Sequence, residues 1–137
     1  MTAAPAPPPA TAQPGEVYWV DIPKAQTVGH EQAERRPYVI VSAPEVNARG
    51  TVVGVPLTTV KNPSKVSFLP PYWILIPQKE LTVDWGATLG VAQASMAKSE
   101  QLRVLDAKRL GTKIGSITIT ALAAIRLGVA SVLSLDP

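Results

Sequence analysis

The apolar positions along this chain change period once, dividing a strand-rich body from a terminal helix. Residues 16–22 (EVYWVDI) alternate and are rich in β-formers, which predicts a strand. Residues 23–34 are polar, carry Gly29 and predict a long loop. The run 37–43 (PYVIVSA) is nearly continuous in apolar residues, as a strand buried on both faces would be. Residues 47–50 supply a turn, and 51–58 (TVVGVPLT) predict a third strand, with Pro56 inside it marking an edge or a bulge. The segment 61–71 holds three prolines and two lysines and reads as a mobile loop. Residues 72–76, 87–94 and 101–105 are expected as the fourth, fifth and sixth strands. From Ile119 to Leu133 the period becomes helical: Leu122, Ile125, Val129, Val132 and Leu133 fall on one stripe, and Thr118 is placed to cap the first turn. Short strands followed by one helix predict a mostly-β fold, a small SH3-like barrel with a C-terminal α-helix.

Composition adds limits. At 137 residues the chain has the size of one domain. The first fourteen residues carry five prolines, five alanines and no charged side chain, so 1–14 is expected as a disordered or polyproline-like tail and 15–137 as the folded domain. The tail lacks the charged start and apolar middle of a signal peptide. Cysteine is absent and His30 is the single histidine, which excludes a disulfide framework and argues against a zinc site or any other metal or cofactor. The net charge of +3 is compatible with a polyanionic partner without announcing one. Residues 114–135 are nearly all apolar, but Arg126 sits near their centre, so a buried or dimer-packed helix is expected rather than a membrane span.

Four stretches, in order, resemble the MazF/PemK-type toxin endoribonucleases. They are Gly15-Glu-Val-Tyr-Trp-Val-Asp21; Gly29-His-Glu-Gln-Ala-Glu-Arg-Arg-Pro37 with the strand after it; Val55-Pro-Leu-Thr-Thr59; and, more weakly, Glu100-Gln-Leu-Arg-Val-Leu-Asp106 with Arg109-Leu110. The Pro/Ala tail and extra residues near 77–90 depart from the family pattern. The resemblance implies a cytoplasmic homodimer that cleaves single-stranded RNA at short specific sequences. It also implies neutralisation by a cognate antitoxin, and DNA binding by the toxin–antitoxin complex. It places catalysis on Arg36 and Thr58, with Glu31 at the family's loop carboxylate. His30, Gln32, Arg35, Thr59 and Lys61 are candidate RNA contacts beside them.

That chemistry suits the residue types. Attack of a 2′-OH on the neighbouring phosphorus needs a proton acceptor, stabilisation of an anionic phosphorane and a proton for the departing 5′-oxygen, with no metal required. A guanidinium such as that of Arg36 matches phosphate oxygens and stays charged, and the Thr58 hydroxyl can donate to the same oxygens. Glu31 and His30 are easier proton acceptors than an arginine. Two rivals stand beside this reading. One is a gyrase-inhibiting toxin on the same barrel, against which the Leu133-Ser-Leu-Asp-Pro137 terminus speaks. The other is a catalytically dead barrel that binds nucleic acid or peptide.

Overall fold

The computed structural model describes residues 11–31, 34–60, 62–82 and 94–135. Among the described residues, eight strands and two helices follow in the order β1 (Glu16–Ile22), β2 (Glu34–Ile40), α1 (Pro44–Asn47), β3 (Thr51–Val60), β4 (Trp73–Pro77), β5 (Leu81–Thr82), β6 (Ala94–Lys98), β7 (Arg103–Asp106), β8 (Leu110–Ile117) and α2 (Ile119–Val132). Every described pairing is antiparallel, and the strands run β4-β6-β3-β2-β1-β8-β5, with β7 also on β3. The sheet curls. Val17 of β1, Ile76 of β4 and Ile114 of β8 meet in one buried cluster with Leu122 and Ile125 of α2, although three strands lie between β1 and β4. The ends β4 and β5 do not pair with each other among the described residues, so the barrel-like sheet stays open there.

Strand alternation builds a second cluster on the other face. Tyr38 and Ile40 of β2 join Val20, Ile22, Val52 and Leu105, whereas Val39 between them belongs to the first cluster. β2 is thus buried on both faces, as its apolar run predicts. It starts at Glu34, three residues before the expected boundary, because β1 continues to pair with it as far as Ile22↔Glu34.

Pro56 is not at an edge. It lies in the central strand β3, opposite Tyr38, and is almost wholly buried. On its other side β3 leaves β7 at Gly54↔Arg103 and joins β6 at Leu57↔Ala97, and the 3-10 turn Ser99–Gln101 forms a bulge between them. The ladder is already interrupted where proline can offer no N–H.

β8 and β5 were not expected from the sequence, and the strand expected at 87–94 lies outside the described residues except for Ala94, which opens β6. The helix follows its prediction: Ala121 N–H donates to Thr118 Oγ1 (3.2 Å), and Ala121, Leu122, Ile125 and Gly128 face inward. No helix among the described residues is long and apolar enough to cross a membrane.

Of the predicted tail, residues 11–14 are described; Gln13 is exposed, but Ala12 is not. Ala12 is buried in the second cluster, and its carbonyl accepts from the buried Asn47 Nδ2 at 2.7 Å. Gly15, at φ +91°, then turns the chain so that its N–H reaches Ile40 O (2.8 Å) and its carbonyl accepts from Ile117 N–H (2.9 Å). Glu16 fixes the turn: Oε1 accepts from Gln13 N–H (2.6 Å) and the Tyr18 hydroxyl (3.0 Å), and Oε2 pairs with Lys113 Nζ (2.5 Å). Burial works to raise the Glu16 carboxyl, but these three donors outweigh it and hold it below the ordinary value. Burial and the Glu16 carboxylate together push the Tyr18 phenol up to about 12. A carboxyl held low in the fold adds stability above the ordinary carboxylate range and loses it as pH falls through the folded value. The melting temperature should therefore fall below about pH 5, and Glu16→Gln should flatten that acid limb. An unchanged limb in thermal melts of the variant would contradict this assignment.

Candidate active site

Arg36 lies on β2 opposite Val20, on the same face as Tyr38 two residues later. The β2–β3 ladder pairs Tyr38 with Pro56, and continuing its register by two residues points Arg36 toward Thr58. Thr58 is half-buried and shares the face of Pro56. On the far side of β3, Gly54 pairs with Arg103 of β7. A Cβ at Gly54 would stand 3.2 Å from Tyr38 Cδ2 and 3.4 Å from Leu105 Cδ1. The missing side chain lets the Tyr38 ring lean across β3, and Arg103 hydrogen-bonds to its hydroxyl. Burial raises the Tyr38 phenol above its ordinary value, against the opposing pull of Arg103 and Arg36. Two guanidinium charges thus act on one buried, protonated phenol.

Beside this group opens a cleft of about 400 Å³. His30 and Glu31 line one wall, Tyr38 contributes to the lining, and Glu100, Gln101 and Arg103 line the other wall. Glu31 Oε1 accepts from Val28 N–H (2.6 Å), so its carboxylate is fixed by its own turn. Glu100 Oε2 accepts from Trp73 Nε1 (2.5 Å), while Glu100 Oε1 is buried with no hydrogen-bond partner among the described residues. Among those residues no three His, Cys, Asp or Glu side chains gather as a metal-binding group.

The structure therefore brings Arg36 and Tyr38 together on one face with Thr58, and places His30 and Glu31 in the adjoining cleft. It separates Arg35 from them. Alternation turns Arg35 to the opposite face of β2, where its guanidinium lies 4.2 Å from the centre of the Trp19 ring. Thr59, exposed, alternates to that other face of β3. Gln32 and Lys61 lie outside the described residues. Sequence reasoning missed Arg103, Gln101 and Glu100 as site residues, although the Glu-Gln-Leu-Arg segment that holds them was the weakest stretch of the resemblance.

Residues 13–133 match the family described as PemK-like, MazF-like toxin of type II toxin–antitoxin system. The chain belongs to this toxin family. The toxin is 31% identical over 110 residues to Endoribonuclease MazF9 of Mycobacterium tuberculosis (strain ATCC 25618 / H37Rv), covering 80% of this chain and 85% of that one. Its fold is similar to MazF from Deinococcus radiodurans, with a TM-score of 0.67 and 21% identity over 92% of this chain and 99% of that one. A mycobacterial endoribonuclease solved with its cognate antitoxin superposes at a TM-score of 0.63, with 22% identity over 92% of the toxin and 98% of that chain.

Proposed function

We propose that this MazF-type toxin is an endoribonuclease that cuts single-stranded mRNA in the cytoplasm at short sequences. The observation that carries the proposal is the sharing of one face by Arg36, Tyr38 and Arg103, with Thr58 on the same side of β3. Arg36 binds the non-bridging phosphate oxygens and gathers the charge that builds on them as the 2′-oxygen attacks. The Thr58 hydroxyl donates to the same oxygens. Arg103, held on the Tyr38 hydroxyl, supplies a second fixed cation to orient the backbone. The proton acceptor belongs to the cleft wall carrying His30 and Glu31, which reaches the 2′-OH side of the scissile phosphate. Transfer of the 2′ proton, closure of the 2′-oxygen on phosphorus and departure of a protonated 5′-oxygen leave a 2′,3′-cyclic phosphate and a 5′-hydroxyl.

None of these roles calls for a metal. Incubation of the pure toxin with a long RNA in EDTA should yield fragments with those two ends. Fragments carrying a 5′-phosphate, or activity abolished by the chelator, would sink the mechanism. RNA left intact by the folded toxin, with or without divalent cations, would favour the binding-module reading.

The assembly follows from α2. Its outer side exposes Ile119 (87%) and Leu127 (63%), with the exposed Ala123 between them, so both sides of the helix are apolar. A two-fold homodimer covers such a surface and lets both subunits line the RNA groove, where a flexible acidic antitoxin segment competes with RNA. Light scattering at micromolar concentration should report about twice the chain mass. A stable, fully active monomer would contradict the dimer.

A further inference from the structure

The turn between β6 and β7 carries a carboxylate with one satisfied oxygen and one unsatisfied oxygen. Ser99 N–H donates to Tyr72 O (2.9 Å) and Leu102 N–H to Ser99 O (3.2 Å), which fixes this turn against the start of β4. Glu100 stands there on the cleft wall, and its Oε2 accepts from Trp73 Nε1 at 2.5 Å. The indole is itself held. Lys98, opposite Trp73 in the β4–β6 ladder, places its ammonium 4.9 Å from the ring centre. Glu100 Oε1, by contrast, is shut off from solvent and has no hydrogen-bond partner among the described residues. A buried acceptor is costly to leave unmet. An indole N–H needs only one acceptor, so holding Trp73 does not account for the second oxygen. The cleft around it also carries exposed apolar side chains: Val28, near His30 and Glu31, is 79% exposed, and Val104, next to Arg103, is 66% exposed. Its volume of about 400 Å³ is that of a small-ligand site.

We propose that Glu100 is a base-reading residue of the toxin: the cleft seats one base of the RNA, and Glu100 Oε1 accepts from that base's exocyclic amino group. The inference rests on the endoribonuclease reading and adds to it a preference that Arg36 and Thr58 cannot supply, since phosphate contacts carry no sequence information. A carboxylate accepts and does not donate. It therefore suits the N4 amino group of cytosine or the N6 amino group of adenine, and repels the O4 carbonyl that uracil presents at the same edge. Val28 and Val104 offer apolar contact to a flat ring. The terminal torsion of a glutamate is soft, so Oε1 can turn to an incoming amino group while Oε2 stays on Trp73. Trp73 is then a positioning residue.

Short deoxyoligonucleotides report the preference without being cut, because they lack the attacking 2′-OH. Fluorescence anisotropy with labelled oligo(dC), oligo(dA) and oligo(dU) should show the whole chain binding at least one amino-bearing probe about tenfold tighter than oligo(dU), the size of one hydrogen bond to a charged group. Glu100→Gln keeps an acceptor for Trp73, but its amide both donates and accepts, so the ratio should fall to about twofold or less. Trp73→Phe keeps a ring and removes the N–H, and should shrink the ratio in the same direction, which a loss of stability alone would not do. Cleavage sites mapped in a long RNA should carry the same bias at one fixed distance from the cut, lost in Glu100→Gln. Equal binding of all three probes by the unaltered toxin, or a ratio that survives Glu100→Gln, would overturn the assignment and leave the endoribonuclease reading standing. A Glu100-dependent binding bias in a toxin that cuts no RNA would keep the assignment and count against that reading instead.

Discussion

Arg36→Ala should lower the rate of RNA cleavage by about 10²–10³-fold, the loss that follows removal of one preorganised donor to a developing oxyanion. That corresponds to about 2.7–4 kcal/mol of transition-state stabilisation. The effect belongs to chemistry because Arg36 is only half-buried and the β2 core lies beyond it, at Tyr38, Val39 and Ile40. Circular dichroism and melting should therefore change little. Arg36→Lys should also be poor, since an ammonium keeps the charge but not the planar fork that grips two phosphate oxygens. Thr58→Val, which keeps the shape and removes the hydroxyl, should give a smaller but clear loss. Single-turnover cleavage of a mapped RNA site measures all three. Near-normal rates in Arg36→Ala would show that the phosphate is held elsewhere.

The largest effect on folding is expected at Tyr38. Its side chain is 1% exposed, packs with Val20, Ile22, Ile40, Val52 and Leu105, and crosses the bare backbone of Gly54. Truncation to alanine removes that contact area and opens a cavity that the sheet cannot close, at a cost of about 3–5 kcal/mol, as for other large aromatic residues. Urea denaturation should show the midpoint falling by that equivalent. Tyr38→Phe separates the two duties of the residue. It keeps the ring and should keep most of the stability, but leaves Arg103 without its hydroxyl partner. Cleavage by Tyr38→Phe should therefore weaken while the fold persists. A Tyr38→Phe toxin with full activity would mean that the Arg103 contact is irrelevant to RNA.

The contrast between these two residues explains what could be read from the chain. Arg36 stands in a local motif, nine residues long and flanked by a recognisable strand, so its place needed no tertiary information. β1 and α2 were legible for the same reason: alternation in EVYWVDI and the Thr118-capped apolar stripe are local patterns. Arg103 was not, because its role depends on Tyr38 leaning over Gly54, and neither residue shows that preference alone. β8 was missed since Gly111, Lys113, Gly115 and Ser116 dilute its alternation, and its pairing with β1 passes through two shifts of register. β6, ASMAK, is made of small residues with weak strand preference. It is a strand because β3 and β4 hold it from both sides. Arg35 was grouped with Arg36 by adjacency in sequence, and a period of two sends neighbours to opposite faces.

The paired arginines of β2 also make the toxin sensitive to the parity of its own chain length. Adding or removing one residue in the polar connection before Glu34 changes only a loop, and both guanidinium groups keep their addresses. The same single-residue change between Arg36 and Tyr38, with the hydrophobic half of β2 still anchored, would exchange the two faces. Arg35 would then enter the Tyr38 side and Arg36 would face Trp19. Natural length variation in this part of the family should accordingly collect ahead of the strand, and single-codon insertions within it should behave as loss-of-function alleles even when no side chain has been replaced.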